Sequence, residues 1–341
     1  MMAPCGSVER GGPMTGEPGV KRKTGLAVVA IVLIVSTGIA VAQGRPQARS
    51  LDPEAGLSVI LLGTGVPIPN PQRGTACTAV IAGDRVFLVD TGRNCVVTLD
   101  QAGIFDLNAI FYTHYHSDHF IGLGEILLNF GVAGVDRSIP VHGPPGAVEI
   151  VAGIASTYRL DLEYRITHHG DKFSEAVMNP TVTEHEPGVV LNEDGLTVTM
   201  FPVCHEPIEP AVGYRFEYLD QIVVISGDTR VCPAYAAGAE GADLLVSEAE
   251  NAAMFSPAMA LARAASNTRQ LEMIEEGMEY HAETLALARM AQEAGVKKLA
   301  LTHLFPSIPA TDAAEAAFIQ GMSDYFDGPI IVGRDGMEVA P

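Results

Sequence analysis

Six consecutive residues, His114-Tyr115-His116-Ser117-Asp118-His119, carry three imidazoles and a carboxylate. Ala109-Ile110-Phe111-Tyr112 before them reads as a short buried strand, and Leu123, Ile126, Leu127 and Phe130 after them recur at helical spacing. The motif therefore sits on a strand-to-helix turn. Side chains two apart on an extended segment point the same way, so His114 and His116 can grip one ion, while the turn directs Asp118 and His119 towards a second. Histidine is only 10 of 341 residues, and its gathering here favours a metal centre over isolated core or surface histidines.

The rest of the chain offers matching ligands. His205, Asp228, Glu248 and His303 each follow a short apolar run, at 196–203, 221–226, 244–247 and 298–302. Strands that present polar residues from one common end are how α/β sheets build sites. Asp90 closes a hairpin expected over 78–82 and 85–89, and reads as holding a histidine or a loop amide rather than as a ligand. The Gly- and Pro-rich loop 63–69 lacks the Lys-Ser/Thr of a phosphate-binding P-loop and is expected to border the site. His142, His168, His169 and His185 have no partner at metal spacing and read as structural or surface residues.

This order of motifs resembles the metallo-β-lactamase superfamily, and within it the branch of ribonuclease Z and similar phosphodiesterases and arylsulfatases. The resemblance runs over residues 57–332. It implies an α/β fold, the four-layer αβ/βα sandwich. It also implies two ions, the first on His114, His116 and His205 and the second on Asp118, His119 and His303, with Asp228 bridging. Two Zn²⁺ suit these donors, with Mn²⁺ or Fe as alternatives. The stretch Tyr280-His281-Ala282-Glu283-Thr284 marks the ribonuclease Z branch. There the resemblance places His281 outside the metal shell as general acid, oriented by Glu248, with Asp118 completing the catalytic set. Two departures stand out: Ser247-Glu248-Ala249-Glu250 replaces the family's His-Glu-Ala, and no long Gly/Lys-rich arm for clamping transfer RNA lies between His142 and His205. The expected activity is hydrolysis of a small phosphodiester or aryl sulfate ester by a hydroxide formed between the ions. A ribonuclease Z-type endoribonuclease, a lactonase or β-lactamase-like hydrolase, and a metal-stabilised binding protein are the alternatives.

Composition bears on partners and place. A formal net charge of -20, spread along the chain, argues against gripping polyanions by bulk electrostatics, so nucleic acid is not expected as a partner. A small-molecule ester is the expected substrate, and a homodimer is left open. Cys5, Cys77, Cys95, Cys204 and Cys232 include no C-x-x-C pair, which indicates neither a zinc ribbon nor a disulfide scaffold. Cys204, next to His205, reads as a buried bystander because neighbouring strand residues face opposite ways. Near the N-terminus, Lys21-Arg22-Lys23 precedes an uncharged apolar run ending in Ala40-Val41-Ala42. Those are the parts of a secretory signal, and the run is also just long enough for a membrane anchor. Residues 1–42 are thus read as signal or anchor, 43–55 as linker and 56–341 as one hydrolase domain. On that reading the catalytic part is periplasmic, secreted or membrane-anchored, outside the cytoplasm.

Overall fold

Alternate residues of the apolar strands bury in opposite directions, and this builds the layers. The computed structural model describes residues 46–341. The chain forms β1 (Leu57–Gly63), β2 (Cys77–Ala82), β3 (Arg85–Val89), β4 (Ala109–Phe111), β5 (Val141–Gly143) and β6 (Val182–Glu184). It continues through β7 (Gly188–Glu193), β8 (Leu196–Pro202), β9 (Val212–Tyr218), β10 (Gln221–Ile225), β11 (Leu244–Glu250), β12 (Leu299–Phe305), β13 (Ile330–Val332) and β14 (Met337–Val339). One sheet runs β14-β1-β2-β3-β4-β5-β6 and the other β13-β12-β11-β10-β9-β8-β7. Each is mixed: β14 to β3 and β7 to β10 pair antiparallel, whereas β3 to β6 and β10 to β13 pair parallel.

Val59 and Leu61 of β1 point into a core shared with Leu244 and Val246 of β11, while Ile60 and Leu62 point outward. Burial on both faces is why these strands read as unbroken apolar runs. Helices cover the outer faces. α1 (Cys95–Gln101), α2 (Ser117–Phe120), α3 (Leu123–Ala133) and α4 (Ala147–His169) accompany the first sheet. After β10 come α5 (Pro233–Ala239), α6 (Ser256–Ala264), α7 (Thr268–Met278), α8 (Thr284–Glu293) and α9 (Asp312–Phe318). Of these α5, α8 and α9 pack on the second sheet, and α6 and α7 pack on each other. The result is the expected sandwich of two sheets with helices outside.

Several local expectations need correction. After the turn Gly143-Pro144-Pro145-Gly146 the sequence reads as a helix from Val148 to Tyr158, whereas α4 continues to His169. Only Ala147 and Val151 of it are buried, so no apolar stripe announced its length, and the ion pairs Arg159–Glu163 and Arg165–Asp161 support its exposed turns. β11 does not stop before Glu248, nor β12 before His303: both run through their functional residue. The register slips between Glu248 and Ala249, and opposite that slip His303 takes φ 43°. A bulge of this kind re-aims one side chain without ending the strand. The four cysteines among the described residues also pair after all, Cys77 with Cys95 and Cys204 with Cys232, across Cα separations of 6.0 and 6.4 Å. Partners 18 and 28 residues apart are brought together by tertiary structure, which spacing rules do not encode.

The proposed signal or anchor, residues 1–42, lies outside the described residues. Among the described residues no helix is long and apolar enough to cross a membrane. In the stretch read as linker, the Arg49 N–H donates to Gly103 O, its guanidinium pairs with Glu338, and Leu51 packs on the core beneath the first sheet. Arg73 is 1% exposed and holds the site-bordering loop from below. It donates to Thr64 Oγ1, Ile308 O and Gly333 O and pairs with Glu315.

Candidate metal centre

The carboxyl ends of β3, β4, β10, β11 and β12 meet at one edge of the sandwich, and all seven expected ligands converge there. Ligand atoms of His114, His116, His205 and Asp228 lie within 4.8 Å of one another, and so do those of Asp118, His119 and His303. Asp228 Oδ2 is 3.4 Å from His119 Nε2, 3.4 Å from His303 Nε2 and 3.9 Å from His114 Nε2, which places it between the two sets. His303 Nε2 is 3.3 Å from Asp118 Oδ2.

Three of the imidazoles, His119, His205 and His114, are aimed by what the other ring nitrogen touches. His119 Nδ1 lies 2.8 Å from Asp90 Oδ2, and the same carboxylate accepts from the Thr113 N–H and hydroxyl. Asp90 holds this bend at φ 61°, a strained value for a residue other than glycine. His205 donates from Nδ1 to Tyr280 O at 3.1 Å, and the Tyr280 ring stands edge-on against it. His114 Nδ1 sits 3.1 Å from Thr113 Oγ1. These supports fix the tautomers and turn the remaining nitrogens inward. Asp90→Asn is therefore expected to lower metal affinity about 10- to 100-fold. Competition with a chelator measures this, and unchanged metal retention would show that Asp90 only stabilises its loop.

The donors suit zinc. His119 Nε2, His205 Nε2 and Asp228 Oδ1 are buried and have no hydrogen-bond partner in the protein, although buried polar atoms are normally satisfied. Burial lowers the pKa of His114 and His116 and takes His205 down to about 4, keeping their lone pairs free. Burial opposes the charge on Asp228, but His303, His119 and His114 hold it well below the usual carboxylate range. Imidazoles and carboxylates in two adjoining sets are the donors of a dinuclear zinc site.

Behind this edge stands a second group. His281 Nδ1 is 2.9 Å from both Glu248 oxygens, and Glu248 Oε1 also accepts from the Thr229 N–H at 2.7 Å. Burial alone would lower His281; the Glu248 carboxylate overrides it and raises the imidazole to about 9. A ring nitrogen of His281 lies within 4.8 Å of the ligand atoms of Asp228 and His303. Glu250, passed over in the sequence, is 1% exposed with Oε1 unpartnered. Burial pushes its carboxyl up to about 8, so it adds no second anion beside Glu248 at neutral pH. A cleft of about 190 Å³ opens over the site, lined by Pro67, Ser117, Tyr280 and His281 together with ligands His116, Asp118, Asp228 and His303. Tyr280 was visible beside His281, but its ring contact with His205 was not. His142 and His185 pair with each other at 2.9 Å, away from the ligands, and His168 and His169 are exposed at the end of α4.

Comparison with known proteins agrees with this geometry. Residues 85–304 match the model of the beta-lactamase superfamily domain. Ribonuclease Z of Mycobacterium sp. strain KMS is 37% identical over 285 residues, 82% of this chain and 94% of that protein. Ribonuclease Z of Mycobacterium bovis is 33% identical, covering 82% of this chain and 96% of its own length. Among solved structures, the metallo-beta-lactamase fold protein YhfI of Bacillus subtilis superposes with TM-score 0.60 at 20% identity, covering 84% of this chain and 99% of its own. Human tRNase Z, short form, gives 0.58 at 21%, covering 83% and 98%. These two show the fold. The expectation that nucleic acid is no partner is overturned, because relatives matched along nearly their whole length are ribonucleases by name. Net charge sums the whole surface and does not describe any one cleft. The chain belongs to the metallo-β-lactamase superfamily and is homologous, within it, to the ribonuclease Z family.

Proposed function

We propose that this chain is a metal-dependent phosphodiesterase of ribonuclease Z type, with RNA as its substrate. The observation that carries the reading is the 37% identity across 94% of a ribonuclease Z, joined to a His281–Glu248 pair beside the ligand sets. Two zinc ions, when bound, supply a nucleophilic water at neutral pH and neutralise charge on the phosphate oxygens. The chain's own residues do the rest. His281, protonated against Glu248, donates to the leaving oxygen. Glu248 keeps that imidazole charged and fixed, Asp118 orients groups at the second ligand set, and Pro67 and Tyr280 wall the cleft against bulk water.

Between His142 and Leu196 the chain carries three basic residues against nine acidic ones, so RNA is held by few phosphate contacts. Each neutralised phosphate on a single strand contributes about -0.7 to the slope of log affinity against log salt, and a slope of about -2 or shallower is expected. The test is a panel with zinc and with chelator: a 3′-extended transfer-RNA precursor, an aryl phosphodiester, an aryl sulfate, a lactone and a β-lactam. Zinc-dependent cleavage of the RNA and the phosphodiester supports the reading. Turnover confined to the sulfate, lactone or β-lactam overturns it.

Residues 1–42 are proposed to direct export. The Lys21-Arg22-Lys23 cluster with its apolar sequel supports this, as do two disulfides, which persist in oxidising compartments. Full-length chain confined to the cytoplasm on fractionation would contradict it.

A further inference from the structure

The two ligand sets are not equally supported by the sheets. Asp118 and His119 stand on the one-turn helix α2, and His303 stands within β12. In the first set, His205 and Asp228 lie instead in loops beyond β8 and β10. Those strands are not neighbours, since β9 runs between them. Their loops meet only past the sheet edge, where Cys204 faces Arg230 in an isolated bridge: the Arg230 N–H donates to Cys204 O at 2.9 Å and the Cys204 N–H to Thr229 Oγ1 at 3.0 Å. The Cys204–Cys232 disulfide spans the same gap. One of its cysteines abuts His205, and the other lies four residues past Asp228, at the N-cap of α5.

We propose that the Cys204–Cys232 disulfide is a positioning device for the first metal ion, clamping the His205 loop to the Asp228 loop so that metal occupancy follows the redox state. A covalent tie across an unpaired strand gap limits how far two ligand-bearing loops can separate, and a metal site loses affinity when its ligands must be gathered first. The two cysteines are half-buried, within reach of a small reductant. A dithiol opens the bridge by thiol–disulfide exchange. Two electrons and two protons pass to the two Sγ atoms, and the dithiol leaves as its own disulfide. The second set holds its ion more firmly, because Asp118, His119 and His303 stand outside the tie and Asp228 is the one ligand it shares with the first set. This inference concerns metal retention and does not depend on RNA being the substrate.

The experiment compares zinc-loaded wild type with the Cys204→Ser/Cys232→Ser double variant. Equilibrium dialysis against a graded chelator and cobalt titration read the two ions separately, and circular dichroism reads the fold. Wild type should hold about two ions, and the folded variant about one, with affinity for the other lowered about 10-fold or more. Two ions held as tightly as in wild type overturn the proposal. Equal weakening of both ions, together with a lower melting temperature, also overturns it, since the disulfide would then be a general fold staple. Should the variant not fold, the folded zinc-loaded wild type is treated with tris(carboxyethyl)phosphine, which is oxidised to its phosphine oxide with oxygen from water. Release of one ion in step with appearance of two thiols supports the clamp, and thiols appearing without release refute it.

Discussion

Exchanging Asp228 for asparagine is expected to produce the largest loss of any single conservative change in the chain. Its Oδ2 stands 3.4 Å from His119 Nε2 and from His303 Nε2, and 3.9 Å from His114 Nε2, so one anion serves both ligand sets. Asparagine keeps the shape and removes the charge. The surrounding imidazoles then lose the group that balances bound cations, and metal content should fall below two per chain. Withdrawing several kcal/mol of charge stabilisation lowers kcat by about 10³-fold or more on every substrate. Elemental analysis and steady-state rates check both halves. A variant with two ions and a rate within tenfold of wild type would remove Asp228 from the bridging role.

The second large effect separates proton donation from metal chemistry. His281→Ala leaves all seven ligands in place, so metal content should be unchanged. The rate on RNA, whose leaving oxygen is basic, should fall about 10²- to 10⁴-fold, while an activated nitrophenyl diester, which leaves without a proton, should be affected far less. Glu248→Gln tests the same pair through pH. Glu248 raises the pKa of His281, so neutralising it lowers that pKa. The acid form is then lost at lower pH, and the alkaline limb of the rate profile moves towards neutrality. An alkaline limb left in place would mean that another group sets it, and equal losses on both esters in His281→Ala would make that histidine a substrate-positioning residue.

Much of the site was legible because its information is local. His114 to His119 are contiguous, and their turn follows from an apolar strand before and a helical pattern after. The remaining ligands could be found because each adjoins a short apolar run. What escaped notice depended on contacts between distant segments. The bulge at His303 arises from a register slip between β11 and β12. Cys204 pairs with Cys232 where two loops converge at an edge, Cys77 pairs with Cys95 where the start of α1 packs on the start of β2, and the edge-on contact of Tyr280 with His205 joins residues 75 apart. α4 was cut short for the opposite reason, since a helix lying mostly in solvent carries no apolar rhythm to read. The acidic composition misled about nucleic acid because a sum over all side chains has no place for the few that face one cleft.

The order of strands has a consequence in time. β1, the first strand of the domain, has two partners, β2 and β14, with Val59 opposite Val339 on its outer edge. That edge stays open until residues 337–339 have left the ribosome, and an open edge next to apolar side chains invites pairing with other chains. The ligands are split in the same way, four from before β5 and three from after β8. Neither half can hold a complete pair of ions while it is being made. Metal loading is therefore an event of the finished chain, and an ion met earlier finds at most part of its ligand set.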